Sequence, residues 1–203
     1  MLPPFDYQGE SVKPQSRVVG ILCAALLGAS ALGAQQRTIV FSLYGGGADH
    51  LADLRADAAS FNPGYNLGAS VGYQLTPYLA IHGDFTFTKN RAWGATPFAG
   101  AFVNRFFYGA HVEARYPFDN GLAPFAFLGG GAVSVDQLGL DQFRPFTKPA
   151  VMVGGGLFYA IPRTRVEAFG ELKSLSYRWN TAGFRRTMFD VTYSVGASYR
   201  LAF

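Results

Sequence analysis

The sequence predicts an all-β chain, an eight-stranded antiparallel up-and-down transmembrane β-barrel. Three observations carry that prediction. Between Thr38 and Phe203, apolar residues alternate with small or polar ones over eight stretches, the period of strands that have two different faces. Aromatic residues make up 16% of the chain and charged residues only 15%, against roughly 25% charged in ordinary soluble domains, so part of the surface is expected to lie out of water. The links between stretches alternate short and long, as in barrels with short turns at one rim and longer loops at the other.

The first stretch spans about Thr38 to Gly46. The second, YNLGASVGYQL, sets Tyr65, Leu67, Ala69, Val71, Tyr73 and Leu75 against Asn66, Gly68, Ser70, Gly72 and Gln74. After a Thr76-Pro77 turn, the third sets Leu79, Ile81, Gly83, Phe85 and Phe87 against Ala80, His82, Asp84, Thr86 and Thr88. So short a link makes the two an antiparallel hairpin. The fourth, Arg105 to Tyr116, alternates Phe106, Tyr108, Ala110, Val112 and Ala114 with Phe107, Gly109, His111, Glu113 and Arg115. Asn120-Gly121 closes the next turn, because that pair tolerates positive φ. The fifth (about 124–133) and sixth (about 150–161) are rich in glycine, which leaves their facing open. Pro162-Arg163-Thr164 leads to the seventh, where Val166, Ala168, Gly170 and Leu172 oppose Glu167, Phe169, Glu171 and Lys173. The eighth, VTYSVGASYRLAF, ends the chain. The longer links are expected to hold about ten to twenty residues each, a length within the range of functional surface loops.

Alternation does not say which face meets solvent. A soluble barrel turns its apolar face inward and a membrane barrel turns it outward. No charge stands on the apolar face of the second, third, fourth and eighth stretches, while Asp84, Arg105, Glu113, Arg115, Asp190 and Arg200 stand on the other. The rings favour lipid. Tyr73, Tyr78, Tyr116, Tyr159, Tyr199 and Phe203 gather near the short turns, and Tyr65, Phe87, Phe106, Tyr177 and Trp179 gather towards the long loops. Two aromatic belts are expected at the two interfaces of a bilayer.

Ahead of the barrel, Lys13 and Arg17 precede an apolar core, Val18 to Leu27, and then small residues. This is the layout of a secretory signal peptide, with cleavage expected between residues 31 and 34. Residues 1–34 are therefore assigned to the leader and 35–203 to the barrel. Cleavage would remove Asp6 and Glu10 along with Lys13 and Arg17, so the formal net charge of +4 is unchanged. The basic residues form no dense block, and no nucleic-acid partner is expected. Cys23 is the only cysteine, so neither a disulfide framework nor a cysteine metal site is available. No cofactor is expected, and the barrel is read as a monomer.

Inside the barrel the polar face would gather His82, Asp84, His111, Glu113, Arg115, Glu167, Glu171, Lys173 and Arg200. An eight-stranded lumen is narrow enough to be filled by side chains, and buried charges must be paired. The set is read as a structural network that plugs the lumen, with a catalytic or transport constellation as the alternative. If the third and fourth strands start level, His82 falls beside Glu113 and Asp84 beside His111; Glu167 and Arg200 lie near the same rim. At the loop ends, Lys89, Arg91, Arg144, Lys148, Arg178, Arg185 and Arg186 stand where lipopolysaccharide phosphates would lie, or are ordinary solvated charges. A catalytic reading would use Asp49, His50, Asp53 and Ser60 of the first loop, but no serine and histidine face lipid together there.

The terminal aromatic, together with YQLTPYLAIHGDF, VGGGLFYAIP and VEAFGELK, resembles the OmpA/OmpX-like family of small eight-stranded outer-membrane barrels over about residues 37–203. The resemblance implies location in the outer membrane of a Gram-negative cell envelope and contact with its lipid and lipopolysaccharide. It also implies that Tyr199, Leu201 and Phe203 form the assembly signal read by the outer-membrane insertion machinery. A structural or adhesive role through the external loops is the expected function, with no enzyme activity. The alternatives are a lipid A acyltransferase or deacylase, both of which occur on this scaffold, and a narrow small-solute channel. No peptidoglycan-binding domain is expected after the barrel.

Overall fold

Each period-two stretch forms a long strand, and each long strand pairs with the next long strand in the chain. The computed structural model describes residues 38–51, 59–94, 99–138, 145–180 and 185–203. The leader assigned to 1–34 lies outside the described residues. The strands are β1 (Thr38–His50), β2 (Ala59–Phe61), β3 (Gly64–Thr76), β4 (Leu79–Gly94), β5 (Phe102–Arg115), β6 (Leu122–Leu138), β7 (Phe146–Ala160), β8 (Val166–Trp179) and β9 (Arg186–Ala202). All pairings are antiparallel, and β9 closes on β1 over Thr38↔Ala202 to His50↔Asp190. The long strands thus form a closed eight-stranded up-and-down barrel, and closure leaves no edge in need of a partner. There is no helix among the described residues.

The short β2 continues β3. It pairs with β4 over Phe61↔Ala92, whereas β3 pairs over Tyr65↔Lys89, so Asn62-Pro63 inserts one extra residue. Proline has no N–H to give a ladder, which suits it to such a bulge. At the short turns, Gly121 has φ 83°, the conformation expected of the Asn-Gly pair, and Arg163 has φ 64°. The strands run further than the sequence reading expected. They leave 51–58, 95–101, 139–145 and 180–185 as the longer intervals, short of the ten to twenty residues expected of each. On β4 the alternation was hidden because Lys89 and Arg91 put charge on a face otherwise apolar.

Large apolar side chains stand exposed on the outside, among them Leu43, Leu67, Val71, Phe85, Val112, Leu128, Val153, Leu172 and Val195. An apolar surface that wraps a whole barrel is far beyond the patches soluble monomers expose, and it suits hydrocarbon. Tyr73, Tyr78, Tyr116, Tyr159 and Tyr199 are exposed at the short-turn rim, with Tyr78 stacked on Tyr116 at 6.2 Å. Towards the other rim, Phe87 contacts Tyr65 at 6.1 Å and Phe106 at 5.2 Å.

Two residues assigned to that upper belt are not on the surface. Tyr177 and Trp179 point inward, and Trp179 is 0% exposed. They share the parity of Glu167 and Lys173 on β8, so the strand that buries those charges buries these rings too. Tyr65, Trp93, Phe102 and Phe189 are among the exposed rings near this end. The glycine-rich strands also resolve: β6 turns Phe125, Phe127, Val133 and Val135 inward, and β7 turns Met152 and Phe158 inward. The interior is therefore mixed, with aromatics along β6–β8 beside the charges.

Glycines make room for these rings. Tyr44 stands directly between Gly68 on β3 and Gly196 on β9, and a Cβ at Gly68 would fall 2.2 Å from its ring. Phe127 lies opposite Gly154 and Phe125 opposite Gly156 in the same way.

Candidate functional site

Period two brings the inward charges of separate strands into one shaft, where they form three layers. Nearest the short turns, Arg115 donates to Glu113 Oε1 through Nε and Nη2 at 2.9 and 2.7 Å. Its Nη1 donates to Glu167 Oε2 at 3.2 Å. Arg200 donates to the other Glu167 oxygen at 3.0 Å and also to Gln74 Oε1. The Arg115 guanidinium lies 4.2 Å over the Phe158 ring.

In the middle layer, Lys173 Nζ meets Asp84 at 3.2 Å, the Tyr44 hydroxyl at 2.9 Å and Thr86 Oγ1 at 3.2 Å. Glu171 is 3.4 Å from the same ammonium. Tyr44 donates to Asp84 Oδ2 at 2.9 Å. The carboxylate and the ammonium each find several polar partners, which is what a buried pair requires.

The upper layer centres on Asp190. Its oxygens take His50 Nδ1 at 2.5 Å and the Tyr177 hydroxyl at 3.0 Å. Arg105 Nε lies 3.6 Å from Asp190 and donates to Tyr177 at 3.0 Å, while Nη1 donates to Asn90 Oδ1 at 3.1 Å. Phe61 of β2 lies under the Arg105 guanidinium at 4.2 Å and against Trp179 at 5.8 Å.

All nine predicted interior residues face the lumen, but not every pairing is as expected. The β4–β5 register sets His82 opposite His111 and Asp84 opposite Gly109. Asp84 is held instead by Lys173 from the far side of the barrel. His82 Nε2 comes to 3.8 Å from Glu113 Oε2, and Glu167 meets Arg200 as above. The sequence reading set Arg105 and Asp190 on the polar face without adding them to the network, and it missed Tyr44, Tyr177 and His50 as members. Strand parity was the available signal for them, because each lies an even number of positions from an inward residue of its own strand.

The catalytic candidates do not converge. His50 turns into the lumen and is committed to Asp190, its Nε2 facing Arg105 at 3.2 Å; Ser60 is buried; Asp49 projects to the opposite face of β1 from His50; Asp53 lies outside the described residues. The loop-end cations divide. Lys89, Arg91 and Arg178 take the outward parity of their strands, with Lys89 Nζ 4.5 Å over Phe102 and Arg91 Nε donating to Gly100 O at 3.1 Å, and Arg185 stands exposed just ahead of β9. Lys148 and Arg186 take the inward parity at the rim, and Arg144 lies outside the described residues. Between the β4 cations and those at the β8–β9 end stand β3 and β1, so they form two groups.

No family model matches the chain, and no curated protein matches it by sequence. Solved structures do match in shape. Neisserial surface protein A, NspA, superposes with a TM-score of 0.57 at 19% identity, over 83% of this chain and 99% of that one. Ail, the attachment invasion locus protein of Yersinia pestis, gives 0.50 at 14% identity over 82% and 99%. The N-terminal β-barrel domain of Pseudomonas aeruginosa OprF gives 0.50 at 14% identity over 82% and 98%. The chain has the fold of the small eight-stranded outer-membrane barrels.

Proposed function

We propose that the chain is an integral, monomeric protein of the bacterial outer membrane whose role is structural or adhesive, exercised through the rim opposite the short turns. The observation that carries this reading is the two-faced barrel, with bare leucine and valine outside and ion pairs inside. The leader, 1–34, is removed on export, and the alternating end with Tyr199, Leu201 and Phe203 engages the insertion machinery. The three charge layers and the rings of β6–β8 close the lumen to solutes, which argues against the channel reading. The engaged His50 and buried Ser60 argue against a lipid-modifying enzyme. The mature protein should fractionate with outer membranes, migrate differently on gels with and without heating, and give no conductance steps in planar bilayers. Recovery as a soluble species without detergent would refute the reading.

The outward cations near the rim would hold the phosphates of lipopolysaccharide, as charge-assisted bonds to guanidinium favour. Ail has been solved with the heparin analogue sucrose octasulfate, and a polyanionic sugar is the chemistry that exposed arginines at this rim would take. Replacing the exposed Arg178 and Arg185 by alanine should lower the lipopolysaccharide that co-purifies; unchanged retention would leave these arginines as solvated charges.

A further inference from the structure

The interior charges do not cancel. With histidines neutral, the buried carboxylates Asp84, Glu113, Glu167 and Asp190 face the buried cations Arg105, Arg115 and Lys173, while Glu171 and Arg200 offset each other. These nine side chains hold one more negative charge than positive, and Lys148 and Arg186 add cations at the loop rim.

Within the shaft, two facing imidazoles each leave one ring nitrogen without a hydrogen bond. His82 and His111 stand opposite on β4 and β5, their rings 4.9 Å apart and 3° from parallel. Both are buried, and His82 Nε2 and His111 Nδ1 lack any hydrogen-bond partner. A buried nitrogen left without a partner is unfavourable, and a single ligand that takes both nitrogens would satisfy the two at once. Glu113 stands beside them: both bonds from Arg115 go to Oε1, and Oε2 is left 3.8 Å from His82 Nε2. The three residues each offer a ligand atom within 4.8 Å of the other two.

We propose that His82, His111 and Glu113 bind one divalent transition-metal cation of the zinc class in the barrel interior, with a fourth position open to water. Two imidazole nitrogens and one carboxylate oxygen suit zinc and its neighbours, whereas calcium and magnesium take oxygen alone. Zinc sits about 2.0–2.2 Å from such ligands, so the imidazole stack opens and the rings turn towards a common point on binding. Glycines flank the pair in register, Gly72 beside His82 and Gly129 beside His111. A Cβ at Gly72 would fall 2.4 Å from the His82 ring, so the ring lies in the space that glycine leaves. Arg115, itself balanced by Glu167, fixes Glu113 as outer-shell partners fix metal ligands. The approach is from the short-turn rim, where a cavity of about 220 Å³ lined by Gln74, Arg115, Glu167 and Arg200 reaches the guanidinium that holds Glu113.

The test uses the detergent-folded protein, stripped with a chelator and titrated with zinc by calorimetry and with cobalt(II) by absorption. One zinc per barrel, visible bands of tetrahedral cobalt and a rise in the unfolding midpoint with zinc are expected. His82→Gln and His111→Gln should each weaken zinc about 100-fold or more, a loss at least as large as that seen for outer-shell partners. Glu113→Gln, which keeps its size, should also weaken binding and serves if either histidine variant fails to fold, as judged by gel mobility. His50→Gln should bind zinc as the unaltered protein does. Absence of stoichiometric uptake by the folded barrel, or uptake that survives loss of both histidines, would overturn the proposal.

Discussion

At the scale of single residues, the interior is governed by how dear an unpaired charge is away from water. Lys173 is 1% exposed and reaches across the lumen to Asp84. Replacing Lys173 by methionine preserves the stem but strands the carboxylate, and loss of one partner of a buried pair costs about 3–5 kcal/mol. The midpoint of denaturant unfolding in detergent should fall accordingly. Adding Asp84→Leu to the same chain should restore much of the loss, since an apolar pair can replace a buried ion pair at little cost. If the double variant is no more stable than the single one, the hydrogen bonds from Tyr44 and Thr86, not charge balance, hold this layer together.

At the scale of elements, β2 is the piece with the least support, since three residues pair with β4. What keeps it in place is Phe61, which touches Trp179, lies under Arg105 and packs at a tilt against the His50 ring at 4.9 Å. Phe61→Ala should therefore release β2 without opening the barrel, because the strand ladders below do not depend on it. In a Trp93→Phe background, where Trp179 is the one remaining tryptophan of the chain's two, its emission should shift red. Amide exchange at Ser60 and Phe61 should quicken, and the main unfolding midpoint should move little. This element also marks how far the sequence could be read. Period two located every long strand and faced β8 so that Glu167, Glu171 and Lys173 were inside. Extended along β8, the same parity would have placed Tyr177 and Trp179 inside as well. The β2 bulge was illegible because three residues show no period. The Asp84–Lys173 pair was illegible for a different reason: β4 and β8 lie on opposite sides of the barrel, and their relative height depends on strand stagger, which alternation does not encode.

At the scale of the whole molecule, the defining property is inversion: what a soluble domain buries is displayed, and what it displays is buried. Composition alone shows the effect as many rings and few charges, but only strand parity turns it into a direction. The direction is testable at Leu43, which is 71% exposed and lies near the middle of β1. In a soluble barrel an exposed leucine can become arginine with a change of a few tenths of a kcal/mol, within the ordinary range for surface substitutions. In a bilayer the same change near the midplane costs about 2–4 kcal/mol, because the guanidinium must enter hydrocarbon or drag water with it. Leu43→Arg should thus lower folding stability measured in lipid vesicles by that amount. The same substitution at Leu201, nearer the short-turn rim on the same outward face, should cost far less, since the penalty falls towards about 0–1 kcal/mol at the interface. A depth profile of this kind distinguishes a lipid-facing surface from one that is merely apolar. Equal costs at Leu43 and Leu201 would mean that the exterior meets something other than a bilayer.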